Sequence, residues 1–253
     1  MVCLRAQAGR AMTVRRLYVP DLPAEGGAVT LAEAAGRHVR VLRLRAGDSV
    51  VLFDGKGHAA EARIESVSEQ VVCQAETPVA DETVQTRVVL LLATPKGSTL
   101  DDCVRMATEL GVDEVALMQT ERTVPQWEPK RARSRVDRLT RIASEAAAQC
   151  ERNDIPVIHL PQPCGAWLQQ MPKDARGVVF GARAEGALDL ANGTEQVWCA
   201  IGPEGGFTDA EVASFEDAGF SVASLGRQVL KVDTAVAAAM ALVHDRLGYL
   251  QAR

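Results

Sequence analysis

The sequence has no pair of cysteines two residues apart and no cysteine–histidine cluster. Its six cysteines, Cys3, Cys73, Cys103, Cys150, Cys164 and Cys199, are scattered along 253 residues. That spacing excludes the common zinc frameworks and predicts reduced thiols, as in a cytoplasmic protein, with no bound metal. No apolar run is long enough to span a bilayer, and the opening stretch MVCLRAQAGRAMTVRR has no secretory apolar core. Residues 1–11 carry no pattern, so they are expected to be unstructured, with Met12 as an alternative start. A GxGxxG fingerprint is missing, which disfavours a Rossmann-type dehydrogenase. The Lys-Ser/Thr ending of a phosphate-binding P-loop is missing too. There is no internal repeat and no low-complexity segment.

What is present is uneven charge. The formal net charge is −5, which argues against a uniformly basic nucleic-acid binder. Yet residues 1–50 hold eight arginines against four acidic side chains, and residues 122–152 hold eight Lys/Arg against four acids. The rest of the chain is strongly acidic. Two basic segments on an acidic body suit a protein that touches phosphates with selected faces.

Read in order, residues 14–20 and 49–53 are strands. Between them, residues 36–45 set Val39, Val41, Leu42 and Leu44 among four arginines, with His38 either on a strand edge or facing RNA. Asp54-Gly55-Lys56-Gly57 is a hairpin signal, and residues 59–67 and 70–75 complete a small β-barrel-like module. The domain boundaries are expected at 1–76, a polar linker at 77–86, and 87–253. Residues 87–93 form an unbroken apolar run, the mark of a strand covered on both faces in a parallel sheet. A helix capped by Ser98 with Asp101 follows, stopped by Gly111. Residues 112–118 are the next strand, and a basic helix runs from Lys130 to about Cys150. A proline-rich loop from Ile155, a short helix at 167–171 and a buried strand at 177–181 lead to the most informative stretch.

That stretch, residues 197–240, reads as strand, glycine loop, helix, strand, loop, helix. Val197 to Ile201 break into Gly202-Pro203-Glu204-Gly205-Gly206, and Thr208 with Glu211 forms a capping-box pattern. A strand at 220–225 ends near Gly226, and an alanine-rich helix from 235 to 247 carries Val236, Met240, Val243 and Leu247 on one face, as core or as a dimer seam. Glycines let backbone approach a ligand closely, and loops at the carboxyl ends of parallel strands are where such sheets bind ligands.

The wording GPEGGFTDAE, followed by SLGRQVLKVDTA, resembles the RsmE-type 16S rRNA (uracil-N3)-methyltransferases of the SPOUT class. PKGSTLDDCVRMATELGVDEV, EAAAQCER at 145–152 and the opening RRLYV extend the resemblance over nearly the whole chain. Lys231, Asp233, Met106 and Cys150 stand where the family usually has Arg, Glu, Lys and Ser. The resemblance implies an α/β fold: a SPOUT-type parallel sheet with a C-terminal trefoil knot, plus a small N-terminal PUA-like RNA-binding β-barrel domain. It implies S-adenosylmethionine as cofactor, held by Gly202, Gly206, Leu225, Gly226 and Leu230, with Thr94 and Gly181 at neighbouring strand ends. It implies 16S rRNA in the small ribosomal subunit as substrate, and a homodimer. Arg15, Arg16, His38, Arg40, Arg43 and Arg45 are the expected RNA contacts. Arg152, Glu204, Lys231 and Asp233 are the expected catalytic residues.

Methylating N3 of uracil requires its proton to leave, so a base or stabilised uracilate is needed. Glu204, Asp233 and Glu145 are candidate bases that sequence does not rank, and Glu204 has a second reading as a holder of loop backbone. Arg16, Arg152 and Lys231 are candidate cations for the flanking oxygens. A SPOUT enzyme acting on another RNA site, and a catalytically lapsed assembly factor, are the competing readings.

Overall fold

The structure, a computed structural model, describes residues 14–80, 86–181, 186, 188, 190 and 194–250. The expected unstructured segment 1–11, residues 81–85 of the expected linker, and Glu185 lie outside the described residues. The chain packs as two units: Met1–Val84 with Ala147–Ile155, and Gln85–Ala146 with Pro156–Arg253. No helix among the described residues is long and apolar enough to cross a membrane.

The first unit holds β1 (Arg15–Tyr18), β2 (Gly27–Thr30), α1 (Glu33–Val41), β3 (Ser49–Phe53), β4 (His58–Val67), β5 (Val71–Ala75) and β6 (Val79–Ala80). The sheet order is β1-β3-β4-β5-β2, with β6 on β4. β1 runs parallel to β3, and the other pairs are antiparallel. β3 is apolar on both faces for a reason. Val50 and Leu52 join a core with Leu17, Val39 and Ile64, while Val51 and Phe53 pack with Ala59 and Ala147, beside Ala148 and Ile155. Residues 147–155, placed by the sequence reading in the C-terminal domain, thus cover the second face of an N-terminal strand. β6 likewise draws part of the expected linker into the sheet.

Residues 33–41 are a helix, not the strand edge considered for His38. Val39 is fully buried, whereas Val41 is 72% exposed; that difference follows a helical face.

The second unit holds β7 (Arg87–Ala93), α2 (Thr99–Glu109), β8 (Glu114–Gln119), α3 (Pro129–Gln149), β9 (Val157–Pro163), α4 (Cys164–Leu168), β10 (Arg176–Phe180), β11 (Gln196–Ile201), α5 (Asp209–Asp217), β12 (Phe220–Ala223) and α6 (Val232–Arg246). The order β12-β10-β11-β7-β8-β9 is parallel throughout. One face buries Val89, Leu91, Trp198 and Ala200 with Trp167, Phe215 and Phe220. The alternate residues Leu90, Leu92 and Cys199 are equally buried, and α6 packs on α2 and β11.

The proline-rich loop expected from Ile155 is largely the edge strand β9. Its prolines are tolerated because an edge strand bonds on one side only and the register shifts opposite Leu117, between Ala116 and Met118. The short helix lies at Cys164–Leu168, three residues earlier than read. Ser98 precedes α2 but makes no side-chain cap bond.

Candidate functional site

In a parallel sheet all strands end on one side. The neighbours β12, β10, β11 and β7 therefore bring the residues after Ala223, Phe180, Ile201 and Ala93 to a single edge. Gly181, Gly202 and Thr94 follow three of those ends directly, and Leu225, Gly226 and Leu230 lie on the loop after the fourth. All seven expected cofactor-binding residues are collected there.

The loop after β11 is a tight turn closed by Gly206 N–H donating to the Pro203 carbonyl at 2.8 Å. Gly206 has φ 69° and Gly226 φ 116°, a region that L side chains rarely adopt, and a Cβ on either would meet nothing within 4 Å. Gly202 is constrained differently. A Cβ there would stand 3.2 Å from the Phe207 ring, so the constraint is space. Beyond the turn the capping box is realised: Thr208 Oγ1 accepts from Glu211 N at 3.3 Å, and Glu211 Oε2 accepts from Thr208 N at 2.9 Å. Phe215 is fully buried and anchors α5, while Val212 and Ala218 are half-buried.

Three side chains join these loops to one another. Glu204 Oε1 accepts from the Lys96 backbone N–H at 3.0 Å, joining the β11 and β7 loops. Arg122, three residues past β8, donates to the carbonyls of Gly205 at 2.8 Å and Phe207 at 3.3 Å. Glu211 Oε1 also accepts from Glu121 N at 2.8 Å. Sequence reasoning misses Arg122 and Glu121. The available signal is a guanidinium placed just beyond a parallel strand's carboxyl end. On the other side Gly181 N donates to Ala223 O at 3.1 Å and Ser224 N to Gly186 O at 3.0 Å.

One buried group at this edge lacks a protein partner. Thr94 is 2% exposed, and among the described residues its hydroxyl has no hydrogen-bond partner. A buried hydroxyl is costly when unsatisfied, so it fits an edge made for a polar ligand.

Of the expected catalytic residues, Glu204, Lys231 and Asp233 lie in this unit. Burial pushes the Cys103 thiol on α2 up to about 12, and the charges of Asp233, Asp102 and Glu204 add to that push. Lys231 is exposed at the start of α6, and Asp233 Oδ1 accepts from Thr234 N at 2.8 Å. Glu145 is exposed on α3. Arg152 belongs to the other unit, where its Nε donates to Asp154 Oδ1 at 3.1 Å and its carbonyl accepts from Arg16 Nη2 at 3.2 Å. Arg16 also stands 5.4 Å from the Phe53 ring centroid.

Among the expected RNA contacts, Arg15, His38, Arg43 and Arg45 are exposed. Arg40 is exposed too, but its guanidinium is turned onto the β4–β5 turn, donating to the carbonyls of Ser68 at 2.8 Å and Glu69 at 2.7 Å. Among the described residues no group of three or more His, Cys, Asp or Glu is placed to hold a metal ion.

The RNA methyltransferase domain family matches residues 82–244, and the RNA methyltransferase PUA domain family matches residues 31–73. Ribosomal RNA small subunit methyltransferase E of Synechocystis is 30% identical over 250 residues, covering 96% of this chain and 81% of that one. The Mycobacterium bovis protein of the same name is 29% identical over 244 residues, covering 92% of each chain. The crystal structure of ribosomal RNA small subunit methyltransferase E from Neisseria gonorrhoeae bound to S-adenosylmethionine superposes with a TM-score of 0.85 at 27% identity, covering 92% of this chain and 97% of that one.

Proposed function

The chain belongs to the ribosomal RNA small subunit methyltransferase E family, and on that footing we propose that it methylates N3 of one uridine of 16S rRNA in the small ribosomal subunit. It is an S-adenosylmethionine-dependent rRNA methyltransferase. The observation that carries the reading is the single edge where two glycine-bearing loops and a buried, unpartnered Thr94 hydroxyl come together.

S-adenosylmethionine supplies an electrophilic methyl group when bound. Main-chain groups of Gly202, Gly206, Leu225, Gly226 and Leu230 hold it, with the Thr94 hydroxyl and Gly181 beside them. Glu204 is a positioning residue, because one of its oxygens already holds the Lys96 amide. Asp233, half-buried in the first turn of α6, accepts the N3 proton, and Lys231 faces an oxygen flanking N3. Arg152 and Arg16 hold residues 152–154 in place within the N-terminal unit, consistent with the hydrogen bonds of Arg152 to Asp154 and Arg16 to Asn153 and with Arg16 lying over the Phe53 ring. The N-terminal unit presents Arg15, His38, Arg43 and Arg45 to RNA. The reading includes a cytoplasmic homodimer and the family's trefoil threading; the latter is supported by β11 lying between the earlier strands β10 and β7.

The test is mass spectrometry of 16S rRNA from a strain lacking the gene. We expect one 3-methyluridine to vanish and to return on complementation with this chain. Loss of a different modified nucleoside, or of none, would overturn the assignment, and calorimetry with S-adenosylmethionine would then distinguish a different target from a lapsed enzyme.

A further inference from the structure

α3 begins with charges of the wrong sign for a helix. The positive end of the helix dipole favours acidic side chains in the first turn, but the first turn of α3 has none. It carries Lys130 and Arg131 instead, followed by Arg133, Arg135, Arg138 and Arg141. Like charges three or four residues apart repel one another as well.

These cations are not equivalent. Arg138 pairs with Asp101, and Arg135 stands 5.9 Å from the Trp127 ring centroid. Lys130, Arg131, Arg133 and Arg141 are all exposed, and among the described residues no carboxylate lies within ion-pair distance of any of them. Asp137, four residues from both Arg133 and Arg141, pairs with neither. The helix buries Ala132, Leu139, Ala143 and Ala146. At 3.6 residues per turn, Lys130 and Arg141 fall on the opposite side, with Arg131 and Arg133 on its two flanks. The row is about 16 Å long at 1.5 Å per residue.

We infer that this outer face of α3 is a second RNA-docking surface, which binds phosphodiester groups of the 16S rRNA substrate through Lys130, Arg131, Arg133 and Arg141. The inference rests on the rRNA methyltransferase reading and adds a surface in the catalytic unit to the N-terminal RNA contacts. A polyanion relieves both the mutual repulsion and the conflict with the dipole. Three of the four cations are arginines, whose planar fork matches phosphate. The exposed positions between them, Ser134, Asp137, Arg138 and Thr140, are all polar. A protein partner's interface would be expected to carry an apolar or aromatic anchor there.

The test replaces all four residues with alanine, which favours helix, and measures binding of a 16S rRNA transcript across a salt series. The slope of log affinity against log salt should become shallower by about 0.7 for each phosphate no longer engaged, and so by about 2 to 3 in all. Affinity at moderate salt should fall at least tenfold while S-adenosylmethionine binding holds. A four-lysine version should recover most of the slope. An alanine variant with the wild-type slope overturns this surface and leaves the methyltransferase reading standing. So does one that keeps its RNA slope but loses binding to acidic ribosomal proteins. If neither wild type nor variant binds the transcript, both readings fall.

Discussion

Glu204 sits in a glycine-rich turn, where a carboxylate can either take a proton or hold backbone. Its bond from Lys96 N–H separates the two roles experimentally. Glu204→Gln keeps an acceptor for that amide but cannot serve as a base near neutral pH. We therefore expect its turnover to stay within a few-fold of wild type, whereas Glu204→Ala loosens both loops and weakens S-adenosylmethionine binding. A Gln variant slowed by about 100-fold or more, the scale of a missing general base, would move the proton acceptor from Asp233 to Glu204. Thr94 offers a second separation. Its buried hydroxyl has no partner among the described residues, so Thr94→Val should leave the melting temperature unchanged or raise it. The same change should weaken cofactor binding by about 1 kcal/mol, near fivefold, for one hydrogen bond removed. Calorimetry and thermal melting on one preparation test both halves.

At the scale of elements, what the sequence made legible was local. The capping box at Thr208 and Glu211 could be read because donor and acceptor are three residues apart. Thr208→Ala should cost about 1 kcal/mol of stability in urea unfolding. The apolar runs of β7 and β11 could be read because burial on both faces leaves an unbroken pattern. α1 was not legible, since its stop signal is disguised. The left-handed position after the helix is held by Arg43 at φ 57° rather than by glycine. β9 was hidden because its prolines read as loop until an edge position is known. In the site, the glycine turn was visible, but its bracing was not. Lys96 and Glu204 are 108 residues apart, and Arg122 and Gly205 are 83 apart, so only the sheet order brings them together. Arg122→Ala removes the Nη1 that donates to both carbonyls. We expect it to raise the dissociation constant for S-adenosylmethionine several-fold while RNA binding holds, measured by calorimetry and filter binding.

The whole molecule adds constraints that no single loop reveals. Glu114, His159 and Arg87 tie together the starts of β8 and β7 and the middle of β9. The hydrogen bond with His159 holds the Glu114 carboxyl below its ordinary 4.5, against the opposing effect of burial and with help from Arg87. A carboxyl depressed by folding stabilises above its unfolded value and loses that contribution as pH falls through its folded value. The urea midpoint should therefore drop on acidification below 4.5, and Glu114→Gln should lack that part of the drop. Assembly is the remaining question at this scale. Val236, Met240 and Val243 are fully buried within one chain, so that face of α6 is core and unavailable as a seam. Any homodimer must use other surface, and Val229 on the loop after β12 is 75% exposed although apolar. Met240→Ala should lower monomer stability by about 2 to 5 kcal/mol, as large-to-small core changes do. Val229→Glu should leave the circular dichroism spectrum of the folded chain unchanged and shift light-scattering mass from two chains toward one. A wild-type chain that scatters as a monomer at working concentration would exclude the dimer, and a Val229→Glu chain that stays dimeric would move the seam away from the cofactor-side loop.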